Sequence, residues 1–338
     1  MPKKRTLIFL ATLWLIALAQ VPLAQARRAA LMPPRDWLLS RAAGRAEIRH
    51  DKPHNEITLS NGLLTRTIRL TPNAATVAFE NAATGETLLR AVAPEAEVEI
   101  NGKKYAVGGL TGQPNLAYLR RDWLAAMKTD AAAFQFERFE LGKPVERMNW
   151  KQSRHLTGAA WPPSGAALTL WFVPPKANLP GVKVAVHYEL YDGAPLLSKW
   201  ITVHNDGAQP IRVNRFKSEI LRVVEAESQV DPSPEWQRPR LTVLTDFSFG
   251  GMSVASLHRA VFWTDDPAYK TQVNYDLKTP CLLEVKPPLG PDVDIAPNAV
   301  LTGIRAFELL HDNDDRERQA WRFASSIECW LRGRSKIR

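Results

Sequence analysis

Between Thr245 and Pro297 the chain concentrates the side chains best suited to chemistry. Trp263, Tyr269 and Tyr275 lie close in sequence to Asp246, Asp265, Asp266 and Asn274. Flat aromatic faces cover apolar C–H patches, while carboxylates and amides take paired hydroxyl groups. Such a set suits a polyhydroxylated ring, so these seven residues are the expected contacts to a carbohydrate. Each also has an ordinary structural use: Asp265-Asp266-Pro267 is a turn initiator, and the aromatics are core material. Glycoside hydrolysis would further require two carboxylates held roughly 5–9.5 Å apart. No spacing in the sequence sets such a pair.

Other chemistries lack their motifs. There is no CxxC and no HExxH, and the seven histidines are scattered, so neither a metal nor a cofactor is expected. His155, His187 and His204 fall in strand-like runs and read as ordinary sheet residues. No GxSxG is present, and the Gly-rich VGGLTGQP (107–114) reads as a loop between strands rather than a phosphate cradle. A mutarotase-like epimerase would pair a histidine with a glutamate as acid and base. His258 or His311 with Glu284 or Glu308 can be nominated, and no spacing selects among them. Two cysteines, Cys281 and Cys329, permit one disulfide but make no framework.

The elements that must position these groups are strands. Short β-branched and aromatic runs alternate with Gly, Asn, Asp and Pro turns from Ile57 onward. Hairpins are expected around Asn61-Gly62, Thr84-Gly85 and Asn101-Gly102. In VKVAVHYELYDGAPLLSKWITVHN, Val182, Val184, Val186, Tyr188 and Leu190 share one face of a long strand. Asp192-Gly193 connects it to a second long strand. LAYLRRDWLAAM (116–127) alone reads as helical, with Leu116, Leu119, Trp123 and Met127 at near-helical spacing. The expectation is an all-β, two-sheet antiparallel sandwich of about 250 residues with few short helices.

Residues 1–26 have the form of a secretory signal: Lys3, Lys4 and Arg5, an apolar run from Leu7 to Ala19, and a cleavage site ending at Ala26. A secreted or periplasmic protein without a membrane anchor after cleavage is expected, with a lead-in over 27–50 and the sandwich over 51–318. The net charge of +9 does not imply a nucleic-acid partner, because it concentrates at the two ends and leaves +2 for residues 27–318.

The order of these motifs resembles a known family. ITLSNGLLTRTIRL, the INGKKYAVGGLTGQP run, YELYDGAPLLSKW, TQVNYDLKTPCLLEV and FELLHDNDDRER together resemble the N-terminal β-supersandwich region of bacterial α-galactosidase-like proteins related to glycoside hydrolase family 36. The resemblance covers about residues 50–319. It implies a galactose-mutarotase-like supersandwich that in those proteins precedes a (β/α)₈ barrel carrying both catalytic aspartates. No strand–helix alternation of a barrel is read in this chain, and no catalytic residue is carried over. The implied function is a non-catalytic domain that helps shape a galactoside pocket and docks the barrel. A stand-alone carbohydrate-binding module and a mutarotase-like epimerase remain alternatives. The ending, AWRFASSIECWLRGRSKIR, breaks the pattern. It is expected to be out-of-frame sequence from about residue 320, truncating a longer enzyme and leaving Cys281 a lone thiol.

Overall fold

The computed structural model describes residues 44–146, 162–175, 178–225, 239–247, 259–269 and 279–315. The signal segment with Ala26, residues 226–238, and the tail with Cys329 lie outside the described residues. Among the described residues no helix is long and apolar enough to cross a membrane.

The chain opens with a meander of β1 (Glu47–Asp51), β2 (Glu56–Ser60), β3 (Leu64–Arg69), β4 (Ala75–Asn81) and β5 (Glu86–Thr87), which forms one five-stranded sheet in sequence order. Next come β6 (Leu89–Ala91), β7 (Ala96–Ile100), β8 (Lys103–Val107), β9 (Gln135–Gly142) and β10 (Gly165–Val173). The long pair β11 (Val182–Tyr191) and β12 (Leu196–Asn205) follows, then β13 (Ile211–Lys217), β14 (Glu219–Val223) and β15 (Leu241–Thr245). The last described strands are β16 (Val261–Thr264), β17 (Leu282–Val285), β18 (Pro291–Ile295), β19 (Ala299–Thr302) and β20 (Ala306–Leu310).

Hydrogen bonding divides these strands into four sheets. The seven-stranded sheet runs β15-β20-β12-β11-β10-β9, with β19 also paired to β12. Two four-stranded sheets run β18-β13-β7-β8 and β16-β17-β14-β6. The expected all-β antiparallel fold is therefore present. All four sheets turn apolar faces into one core, which includes Ile57, Phe79, Val98, Phe172, Tyr188, Leu221 and Leu283.

The three expected hairpins are β2–β3, β4–β5 and β7–β8, and left-handed glycines stand in their turns: Gly62, Gly85 and Gly102. Strand β11 carries Val182, Val184, Val186, Tyr188 and Leu190 into the core, as alternation predicts. Gly108 in VGGLTGQP is more constrained. Its φ is +65°, and a Cβ there would sit 2.3 Å from the Ala74 carbonyl oxygen and 2.9 Å from the Phe172 ring. Gly108→Ala should cost at least about 1–3 kcal/mol, read by urea denaturation, because backbone strain adds to the clash.

The expected helix over 116–127 is not formed. Only a 3₁₀ turn, Arg121–Trp123, occurs there. The local carbonyls are bonded from elsewhere: Gln113 Nε2 donates to Asn115 and Tyr118, and Arg90 Nη1 donates to Leu116. Leu124 and Met127 instead fill a small cluster with Val77, Val92 and Leu110. Side chains from outside the segment bond these carbonyls in place of the helical pattern, which overrides the local preference.

Candidate functional site

Three groups of polar and aromatic side chains merit comparison. The first contains the residues expected from the sequence. Asp266 is buried and pairs with Arg90 Nη2 at 2.6 Å and Arg222 Nε at 3.2 Å. Its other oxygen accepts the Ala268 N–H. Tyr269 is buried with its ring 4.0 Å from the Arg90 guanidinium carbon, and its hydroxyl donates to Glu225. Arg90 also reaches the Cys281 carbonyl, and burial pushes the free Cys281 thiol up. The structure thus brings Asp266 and Tyr269 together, but around a buried arginine.

Trp263 lies half-buried on β16 against the core, and Asp265 is exposed. Asp246 follows β15, and its carboxylate accepts the Arg305 backbone N–H at 2.7 Å. Asn274 and Tyr275 lie outside the described residues.

The glutamates nominated for acid–base work have charged partners. Glu284 is bonded by Lys217 at 2.7 Å and Lys286 at 2.5 Å. Burial pushes its carboxyl up, and the two ammonium groups more than offset this, holding it below the usual range. His311 is buried, with Nε2 at 2.7 Å from the Thr242 hydroxyl. His258 lies outside the described residues.

The second group was not anticipated as a cluster, although it contains the nominated Glu308. Arg66 on β3 bonds Glu219 on β14 at 2.9 Å and Glu308 on β20 at 3.0 Å, both through Nη1. Lys199 on β12 bonds Glu219 at 2.8 Å and Glu95 at 3.1 Å. The Tyr188 hydroxyl on β11 donates to Glu95, and the Thr76 N–H donates to the same carboxylate. Glu95 directly precedes β7, so each of the four sheets or its immediate flank contributes a member. All five charged side chains are at most 1 % exposed. Burial pushes Glu219 up, but Arg66 and Lys199 pull it well below the usual carboxylate range. Burial and the adjacent Glu219 charge push Glu308 well above it. These carboxylates converge, yet a substrate cannot reach them.

The third group lies on the other face of the seven-stranded sheet. Glu140, Thr169, His187 and Trp200 form a row across β9, β10, β11 and β12. His187 stacks on Trp200 with centroids 4.9 Å apart and planes at 13°. The Arg305 guanidinium lies 3.8 Å from the Trp200 centroid and bonds Glu189 at 3.0 Å. In the neighbouring row, Trp171 packs beside His204 at 4.9 Å, and Arg138 lies over its ring at 4.6 Å. A hydrogen-bonded chain links Thr169, His187, Thr202 and His204, with separations of 3.1, 2.8 and 2.9 Å. Burial lowers the His204 imidazole, which favours its neutral form.

Trp171, His187 and His204 are half-buried, and Arg138 and Glu140 are exposed. The face therefore offers ring surface, imidazoles and hydroxyls to an incoming molecule. Among the described residues no group of three or more His, Cys, Asp or Glu side chains is placed to hold a metal. This face was legible in part, because its residues occupy the outward positions of strands whose inward positions are apolar.

A scan against protein-family models gives no match, and a search of curated proteins finds no similar sequence. Among solved structures, the chain is similar to the α-galactosidase from Lactobacillus brevis, at 10% identity and a TM-score of 0.46. That similarity covers 83% of this chain and 42% of the other. The GH36 α-galactosidase AgaB from Geobacillus stearothermophilus is similar at 9% identity and a TM-score of 0.40, over 79% of this chain and 41% of that one. A TPR-domain containing protein from Parabacteroides distasonis is similar at 12% identity and a TM-score of 0.35, over 77% and 48%. The chain thus spans about two fifths of the length of the two α-galactosidase structures it resembles.

Proposed function

We propose that this chain is the exported, non-catalytic sandwich of a carbohydrate-active glycoside hydrolase of the α-galactosidase type. In this reading it lines part of a galactoside pocket, docks a (β/α)₈ barrel, and has no turnover of its own. One contrast carries the proposal. The converging carboxylates Glu95, Glu219 and Glu308 are sealed in the core, whereas the aromatic, imidazole and hydroxyl groups of β9–β12 are partly open. A glycosidase acid pair must touch its substrate, and a recognition face needs only access. Asp246, Trp263 and Asp265 remain proposed contacts at the edge of that function. Asn274 and Tyr275 are retained as sequence-based members of the set.

The test uses the full chain with an aryl α-galactoside and, separately, methyl α-galactoside. No hydrolysis above the uncatalysed rate is expected. Weak saturable binding should appear by calorimetry, and Trp171→Ala should weaken it at least tenfold, because ring stacking is removed. Turnover of the aryl galactoside by the chain alone would overturn the proposal. The partly open face also favours a second reading, a stand-alone binding module. That reading expects full affinity for an oligosaccharide without any barrel partner. Polarimetry on galactose checks the epimerase alternative. Export is tested by N-terminal sequencing of the mature protein, which should start at Arg27. The out-of-frame reading of 320–338 is tested by the nucleotide sequence past that point.

A further inference from the structure

The core cluster carries an imbalance that its geometry must resolve. It contains two cations, Arg66 and Lys199, and three carboxyl groups, Glu95, Glu219 and Glu308. Fully ionised, it would hold a net charge of −1 in a site with no exposed side chain. An uncompensated buried charge is expensive, and a buried group neutralises itself when it can.

The contacts identify which carboxyl does so. Glu95 receives Lys199 Nζ, the Tyr188 hydroxyl and the Thr76 N–H, all of which favour its ionised form. Glu219 receives Lys199 Nζ, Arg66 and the Ile220 N–H. Glu308 receives only Arg66 among the described hydrogen bonds, through an Nη1 already bonded to Glu219, so the two carboxyl groups converge on one nitrogen at 3.0 and 2.9 Å. Two bare carboxylates converging on one buried nitrogen repel, and one shared proton relieves this. The flanking positions supply no other charge: Glu308 pairs with Leu197 on β12 and Val243 on β15. Arg305, which leads into the same strand, is committed to Glu189 on the opposite face of the sheet.

We propose that Glu308 is held as a neutral carboxylic acid donating its proton to Glu219, so that the core is an alkaline-sensitive lock joining all four sheets. The sign follows from linkage. Glu308 keeps its proton in the folded chain at pH values where the unfolded chain has lost it. The contribution is fully present below the unfolded value near 4.5 and is lost as pH rises towards the folded value. Within that window the folding equilibrium constant should fall about tenfold per pH unit from this group alone. Glu95 and Glu219 are depressed, so their contributions are present above the unfolded value and are lost only in acid.

The experiment is chemical denaturation of the full-length wild type, Glu308→Gln and Glu219→Gln from pH 5 to 9. Glutamine preserves the shape and the neutrality of a protonated glutamate. The proposal expects Glu308→Gln to match the wild type near pH 5 and to gain on it by about tenfold in the folding constant for each pH unit above that. Glu219→Gln should be destabilised throughout. Parallel pH curves for wild type and Glu308→Gln would overturn the proposal, as would equal losses in the two variants at neutral pH. Infrared spectroscopy of the wild type reads the same state without a variant. A protonated carboxyl C=O band that persists at pH 7 is expected, and only a carboxylate band at that pH would also overturn it.

Discussion

Arg66→Met should cost about 3–5 kcal/mol of stability or abolish folding, as measured by thermal and urea unfolding. The Arg66 guanidinium is fully buried and bonds carboxyl groups on strands from two other sheets. It also donates through Nε to Thr76 on β4 and lies over the rings of Phe79 and Tyr188, about 5 Å from each. Methionine restores the bulk and some ring contact, but it leaves Lys199 alone against the ionised Glu95 and Glu219, one positive charge short in the core. The loss reflects the charges left behind more than the bonds removed. Replacing the whole cluster by apolar residues of equal volume should therefore be far milder than the single change. A loss below about 1 kcal/mol for Arg66→Met would show that water reaches the cluster.

Asp266→Ala and Asp265→Ala should separate sharply although the residues are neighbours. Removing the Asp266 carboxylate strands Arg90 in the core and takes the paired anion from Arg222. A loss of about 3–5 kcal/mol is expected by the same reasoning. Asp265 is exposed, and its replacement should change stability by no more than about 0.5 kcal/mol. Any effect of Asp265→Ala on galactoside binding would then be a genuine contact effect. An effect of Asp266→Ala could be credited to contact only if the variant melts like the wild type.

The strands were readable because their turns are written locally. Asn-Gly at 61–62 and 101–102 places a residue tolerant of positive φ where a tight hairpin needs one. The false helix at 116–127 arose because its apolar spacing is real, while the groups that displace it are Arg90 and Gln113 from outside the segment. The same limit applies to the expected sugar contacts. Asp266 and Tyr269 are close in sequence and in space, but their common partner Arg90 lies 176 residues from Asp266. The charged core did leave a trace. Arg66 falls between Leu64 and Ile68, Lys199 between Leu197 and Ile201, and Glu308 between Ala306 and Leu310. Each is a charge at an inward position of a period-two pattern. One such residue reads as a lapse in alternation. Three of mixed sign describe a network, although their pairing cannot be read from the strands separately.

The core cluster also sets an order of events during synthesis. Arg66 and Glu308 are separated by 242 residues. The early hairpins can form as they leave the ribosome, because their contacts are local. The hydrogen bonds around Arg66 are incomplete and β12 and β15 lack the strand between them until β20 has emerged, so the four sheets cannot close earlier. Such long-range closure slows folding and keeps strand edges open while the chain grows. A ribosome-bound chain ending before Ala306 should remain protease-sensitive throughout, and protection should arrive in one step once residues 306–310 are free.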